Sequence, residues 1–171
     1  MGFLFKRATL CISLSSLAAV CAAQNAQSGP PSLSVTISAL QPMVKAGSPV
    51  RVKITTTNTS DREVVYYETG PWHYNIYVRD ATGAYAPDTP EGLGKHPWSP
   101  RRTGGGGVFS GPSFRFRLAI GPGKKQEDEV DVTKEYDLSK PGKYTVQLER
   151  PDPENKGQWL RSNTITVTVT P

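Results

Sequence analysis

The chain has 171 residues, 36% of them hydrophobic, and a formal net charge of +5 from 20 basic and 15 acidic side chains. That length suits one domain with a single core. The charge excludes little by itself, but it is too dispersed for a nucleic-acid binder, which needs a concentrated basic face with a reader element. Arg101-Arg102 and Lys124-Lys125 stand in turn-like segments, and Glu127, Asp128 and Glu129 follow the second pair.

Residues 1–23 read as a secretory signal peptide. Lys6 and Arg7 precede a charge-free apolar run from Ala8 to Val20, and small residues follow at Cys21, Ala22 and Ala23. The run is too short to anchor a chain across a bilayer, so the mature chain is expected to have no transmembrane segment and to be secreted or periplasmic. Lipid anchoring through Cys21 is the minor alternative, since Ala18-Ala19-Val20 fits a lipoprotein signal poorly. Both cysteines, Cys11 and Cys21, fall inside this segment. The mature chain would then have neither disulfide nor thiolate, and its stability would rest on its core.

Residues 24–31 are polar with Gly and Pro and read as a flexible lead-in. From 32 to 171 the pattern is that of one domain. Leu33, Val35 and Ile37 alternate with Ser34, Thr36 and Ser38; Pro42 to Gly47 reads as a turn; Val50, Val52 and Ile54 alternate with Arg51, Lys53 and Thr55. After the Asn58–Asp61 turn come strands at 63–68 and 74–80, then one carrying Phe114, Phe116, Leu118 and Ile120. Val130 and Val132 mark a short strand, and two more carry Tyr144, Val146 and Leu148, then Ile165, Val167 and Val169. Period-two alternation with β-branched residues is the mark of half-buried strands. About eight strands and no helix predict an all-β, antiparallel Greek-key sandwich of the immunoglobulin-like kind.

Two segments stand out from this rhythm. Residues 84–112 hold five prolines and the run Gly104 to Gly107, so they read as one long loop. Asp137 to Val146 reads as a sandwich corner, in which the Tyr144 hydroxyl folds back onto backbone near Asp137 or Leu138.

From Asn58 to Gly83, at Gly121-Pro122-Gly123 and at Gly142-Lys143-Tyr144, the chain resembles bacterial immunoglobulin-like or fibronectin-III-like accessory domains, and more narrowly the BsuPI type of proteinase-inhibitor domain. The resemblance implies the fold first. It implies an inhibitory role without assigning one to any residue here.

No residue pattern announces a chemistry. His73 and His96 are the two histidines, and without cysteine neither a zinc nor a cupredoxin-type copper set is completed. Asp128, Glu129 and Asp131 offer oxygen ligands for calcium, but a charged edge strand explains them as well. Gly104 to Gly107 lacks the residues of a phosphate loop, and no nucleophile elbow occurs. No catalytic residue, metal or cofactor is therefore expected. Asn58-Thr59-Ser60 has the form of a glycosylation sequon or, more simply, of an Asx turn. The leading expectation is a non-enzymatic interaction module outside the cytoplasm with a protein partner, held by Trp72, Trp98, Arg101 and Arg102 around the long loop. Carbohydrate binding on exposed Trp or Tyr side chains is the alternative, and an uncharacterised hydrolase a distant one. Should the loop not be the site, the sheet face around Tyr67 or Tyr77 is the next place to look.

Overall fold

The computed structural model describes residues 31–69, 74–96 and 115–171, without the side chains of residues 68, 69, 115 and 116. The signal segment with Cys21, residues 24–30 of the lead-in, and the candidate contact residues Trp72, Trp98, Arg101 and Arg102 lie outside the described residues.

Ten strands follow one another: β1 Leu33–Ala39, β2 Met43–Lys45, β3 Arg51–Asn58, β4 Val64–Thr69, β5 Asn75–Arg79, β6 Arg115–Ile120, β7 Lys125–Asp131, β8 Gly142–Pro151, β9 Trp159–Arg161 and β10 Ile165–Thr170. One sheet has the order β1-β3-β7, a second β2-β10-β8-β5 with β9 added beside β8, and β4 pairs with β6 as a separate ribbon. Orders of this kind are the A-B-E and C-F-G sheets of an immunoglobulin-like sandwich. Alternation drives it. In β1, Leu33, Val35 and Ile37 are buried while Ser34, Thr36 and Ser38 face water. In β3, Val52, Ile54, Thr56 and Asn58 are the buried set. These faces meet Val78, Val146, Leu148 and Val167 of the second sheet in one core. Each fully buried aliphatic side chain contributes about 1.5–3 kcal/mol relative to exposure.

The expected core is present with few exceptions. Leu118 and Ile165 are only partly buried, and the Phe116 side chain lies outside the described residues. The strand count needs correction, because two very short strands carry little alternation. Met43–Lys45, expected as a turn, pairs in parallel with β10, so the sandwich is not wholly antiparallel. Trp159–Arg161 pairs with β8. Val132, expected in a strand, instead opens a single 3-10 turn, Val132–Lys134, whose N-cap Asp131 accepts from the Thr133 amide.

Edges are guarded by side chains. Asn163 accepts from the Ile37 amide at 2.8 Å and donates to the Ile37 carbonyl at 3.0 Å, occupying ladder groups of edge strand β1. On edge strand β7, Glu127 pairs with Lys53 at 2.7 Å and Glu129 with Arg51 at 3.5 Å. Of the candidate calcium ligands, Glu129 is thus held in a cross-strand pair and Asp131 caps the 3-10 turn. Among the described residues, no group of three or more His, Cys, Asp or Glu is placed to hold a metal.

The described part of the long loop, residues 84–96, is irregular backbone held closely against the sandwich: Tyr85 bridges to Arg79 and Asp88 to Tyr136. The Ala86 amide donates to the Val78 carbonyl at 2.9 Å, and Thr89 and Asp137 exchange backbone bonds with Glu135 and Pro87 at 2.9 and 2.7 Å. Chain packs so closely here that a Cβ at Gly92 would stand 2.0 Å from the Glu135 carbonyl oxygen. Under this flap, Tyr136 is completely buried and His96 stacks on it, 4.7 Å between ring centroids. Desolvation lowers the His96 pKa, against the pull of Glu135 and Asp88. Residues 97–112 of the expected loop lie outside the described residues.

Two polar side chains lock the frame. Buried Asn58 donates to the Arg62 and Ile120 carbonyls, both at 2.7 Å, and accepts from the Ser60 amide at 2.9 Å and hydroxyl at 2.7 Å. It is thus an Asx turn that joins β3 to β6, and in the folded domain it presents no free amide to a glycan. Buried Tyr144 donates to the Lys140 carbonyl at 2.9 Å, not to Asp137 or Leu138 as expected. Asp137 and Leu138 are engaged elsewhere: the Asp137 carboxylate accepts from the Ser139 amide at 3.0 Å, and Leu138 enters the core.

Asn58→Ala strands carbonyls and an amide at the strand junction, and is expected to lose about 2–4 kcal/mol in urea unfolding. Tyr144→Phe removes one buried bond and should lose about 0.5–1.5 kcal/mol. Equal losses for the two would show that Asn58 is not the junction described.

Candidate functional site

The outer face of the second sheet is built by the residues that alternation turns away from the core. In β5, Ile76 and Val78 go inward, which sends Tyr77 and Arg79 outward. In β8, Tyr144, Val146, Leu148 and Arg150 go inward, which sends Thr145, Gln147 and Glu149 the other way. Register then sets neighbours: Tyr77 stands opposite Gln147, Arg79 opposite Thr145, and Glu149 opposite Arg161 of β9. With Tyr85 from the bridging segment and Thr164 before β10, these side chains line a groove of about 350 Å³.

Glu149 organises its floor. One carboxylate oxygen accepts from the Tyr77 hydroxyl at 2.7 Å, and the other accepts from Arg161 Nε. The Glu149 side chain is 11% exposed while that of Arg161 is 71% exposed. The guanidinium is therefore fixed at its base and open at its tip. Burial, with the neighbouring carboxylate second, pushes the Tyr77 phenol up to about 12, so at neutral pH it is a proton donor held by Glu149. Along the other wall, Arg79 donates to the Gly83 carbonyl at 2.9 Å and to the Tyr85 hydroxyl at 2.6 Å, and its guanidinium lies 3.8 Å from the Tyr85 ring centroid. The Tyr77 and Tyr85 rings are tilted by 36° with centroids 6.5 Å apart.

Arg79, Arg161 and Glu149 give the groove two guanidinium groups against one carboxylate. Its hydroxyl, amide and guanidinium groups can hydrogen-bond a polar ligand, and its two phenol rings can contact a flat or ring-shaped one. The residue set holds no histidine, cysteine or serine, and so supplies no nucleophile with an adjacent imidazole base.

Of the two sheet-face positions singled out beforehand, Tyr77 lines this groove. Tyr67 is 63% exposed on the β4–β6 ribbon opposite Arg117, apart from the groove residues, while its neighbour Tyr66 is buried as strand geometry requires. Trp159 is half exposed on β9. Glu149 and Arg161 escaped the sequence reading because single charged residues in strands look like solvated faces. The available signal for Glu149 was its position, in an alternating strand whose opposite face carries the core residues Tyr144, Val146 and Leu148.

Arg150 was also missed. It extends the inward row of β8 into the interior, 4.7 Å from the Tyr66 ring centroid and 5.4 Å from that of Tyr74, with Nη1 donating to Thr56 Oγ1 at 3.4 Å. Aromatic faces and a hydroxyl offset part of the cost of burying that charge.

No family model matches the chain, and no curated protein does. Among solved structures it is similar to a CARDB domain from Pyrococcus furiosus in complex with di-metal ions, at 14% identity and a TM-score of 0.43, covering 82% of this chain and 89% of that one. It is similar also to a β-glucosidase from Listeria innocua in complex with glucose, at 12% identity and a TM-score of 0.42, covering 82% of this chain but 16% of that enzyme. A third likeness is to the alkylpurine DNA glycosylase AlkC of Pseudomonas fluorescens, at 12% identity and a TM-score of 0.40, covering 82% and 31%. At these values none of those proteins' ligands or activities carries over.

The Glu149–Tyr77 bond has a titration signature. Because the raised phenol pKa favours the protonated form, its stabilising effect is present below the ordinary value of 10.0 and is lost as pH rises through about 12. Glu149→Gln removes the neighbouring charge but not the burial. The Tyr77 resonance, followed by tyrosine-ring NMR, is expected to titrate below the wild-type value yet above 10.0. An unchanged midpoint would show that the carboxylate does not act on Tyr77.

Proposed function

We propose that the chain is an exported, non-enzymatic binding module whose contact site is the groove of Tyr77, Tyr85, Gln147, Glu149 and Arg161, and that its ligand is a polar saccharide segment. The observation that supports this is the Glu149 cluster. A sandwich needs only a solvated outer face, yet here a carboxylate is withdrawn from water and fastened to a phenol and a guanidinium. Desolvating a charge costs stability unless its partners are well placed. Such an arrangement orients groups for a ligand rather than serving the core. The polar lining favours sugar hydroxyls over an apolar side-chain anchor of a protein partner.

The strand edge beside the groove points the same way. A peptide could add as a strand to β5, but residues 84–86 already use that edge, through the Ala86 amide on Val78 and the Asp80 amide on Ala84 at 2.9 Å. Among the described residues, no helix is long and apolar enough to cross a membrane. Export rests on the signal-like residues 1–23.

A second reading places a protein partner, a proteinase in its specific form, on residues 97–112 with Trp98, Arg101 and Arg102. What favours it is the anchoring of residues 84–96, because inhibitory loops work from a rigid base. A glycan array and a protease-inhibition panel on the chain from residue 24 separate the two. The expected result is glycan binding that Tyr77→Ala and Gln147→Ala each weaken at least about tenfold. Inhibition of a protease without glycan binding would reverse the assignment.

A further inference from the structure

The groove is polarised as well as polar. Its one carboxylate, Glu149, is buried and already accepts two bonds, whereas Arg161, bound to it through Nε, exposes 71% of its side chain. The carboxylate is thus covered at the groove floor while the positive charge stays open to solvent. Arg79 adds a second guanidinium on the other wall, over the Tyr85 ring. Thr145, Gln147 and Thr164 contribute neutral hydroxyl and amide groups between the two.

Deepening the saccharide reading, on which it rests, we infer that the groove selects carboxylate-bearing sugars, that is, uronic-acid segments, with Arg161 as the residue that receives the ligand carboxylate. With Nε committed to Glu149, the two Nη groups of Arg161 remain as a forked donor pair. A fork of this kind matches a planar carboxylate in two parallel charge-assisted bonds, which a lysine ammonium does not reproduce. Glu149 acts as a positioning residue, holding the plane of the guanidinium and the Tyr77 hydroxyl, and does not meet the ligand carboxylate. Neutral hydroxyls of the sugar ring find Gln147, Thr145 and Thr164.

Calorimetric titration of the chain from residue 24 with a di- and a trigalacturonide, with the methyl esters of the same sugars, and with a short Glu-rich peptide tests this. Amide NMR shifts recorded in parallel identify the residues touched. The free acids are expected to bind about tenfold to a hundredfold more tightly than the esters, the worth of a charge-assisted pair. Arg161→Gln, at an exposed position, should remove that difference, and Arg161→Lys should restore it only in part. Raising salt should weaken the acids and leave the esters unchanged. Equal binding of acids and esters with shifts at Tyr77 and Gln147 would overturn the acid selectivity and leave the saccharide groove standing. Binding of the peptide alone would overturn both the inference and the saccharide reading. So would the absence of shifts at the groove with every probe.

Discussion

The ten-residue strand β8, Gly142–Pro151, is the constraint on which the rest depends. It pairs with β10, β5 and β9, and among the described residues it is the one strand of the second sheet with three partners. Side chains of a strand point to alternate faces, so a shift of one residue would exchange the two sets completely. One set is Tyr144, Val146, Leu148 and Arg150, which joins the core; the other is Thr145, Gln147 and Glu149, which lines the groove. Core and groove are therefore two faces of one register. The aliphatic burial that fixes the register also fixes where Glu149 stands relative to Tyr77 and Arg161.

Locks at the ends hold that strand in place. At its start, the Tyr144 hydroxyl closes the corner on Lys140. Near its end, Ser162 donates its amide to the Leu148 carbonyl while its hydroxyl accepts from the Leu148 amide, both at 2.9 Å. In the connection to β9, buried Asp152 accepts from the amides of Glu154 and Asn155 at 2.9 and 3.2 Å. Glu154 then accepts from Arg62 at 2.6 and 2.9 Å, tying this connection to the turn after β3. The Arg62 hydrogen bonds, with a smaller contribution from the Ser32 hydroxyl, hold the Glu154 carboxyl below its ordinary pKa. That contribution is present above the unfolded carboxylate pKa and is lost as pH falls through the depressed folded one.

Much of the architecture was legible from residue order alone. β-Branched alternation in Leu33–Ala39 and Arg51–Asn58 located two strands and their inward faces, because a period of two is a property of local chain geometry. Met43–Lys45 and Trp159–Arg161 were not legible: three residues carry too little pattern, and their pairing comes from tertiary neighbours. Residues 84–96 are irregular backbone, as their proline and glycine density implies, but that density does not say whether such backbone is covered. Tyr136 is buried beneath it, with His96 of the same segment stacked on the ring, without any periodic signal. The groove was half legible. Tyr77 was a candidate face, but a glutamate at position 149 and an arginine at 161 acquire meaning only through the β8–β9 register that sets them opposite each other.

Single cysteines placed along β8 in a chain lacking Cys11 and Cys21 measure the central claim most directly. Thiol modification rates would be compared for Lys143→Cys, Thr145→Cys and Gln147→Cys against Tyr144→Cys, Val146→Cys and Leu148→Cys. Fast labelling at 143, 145 and 147 with protection at 144, 146 and 148 is the result predicted by one register serving core and groove. Labelling without that period of two, or with 146 and 148 reactive and 147 protected, would contradict it.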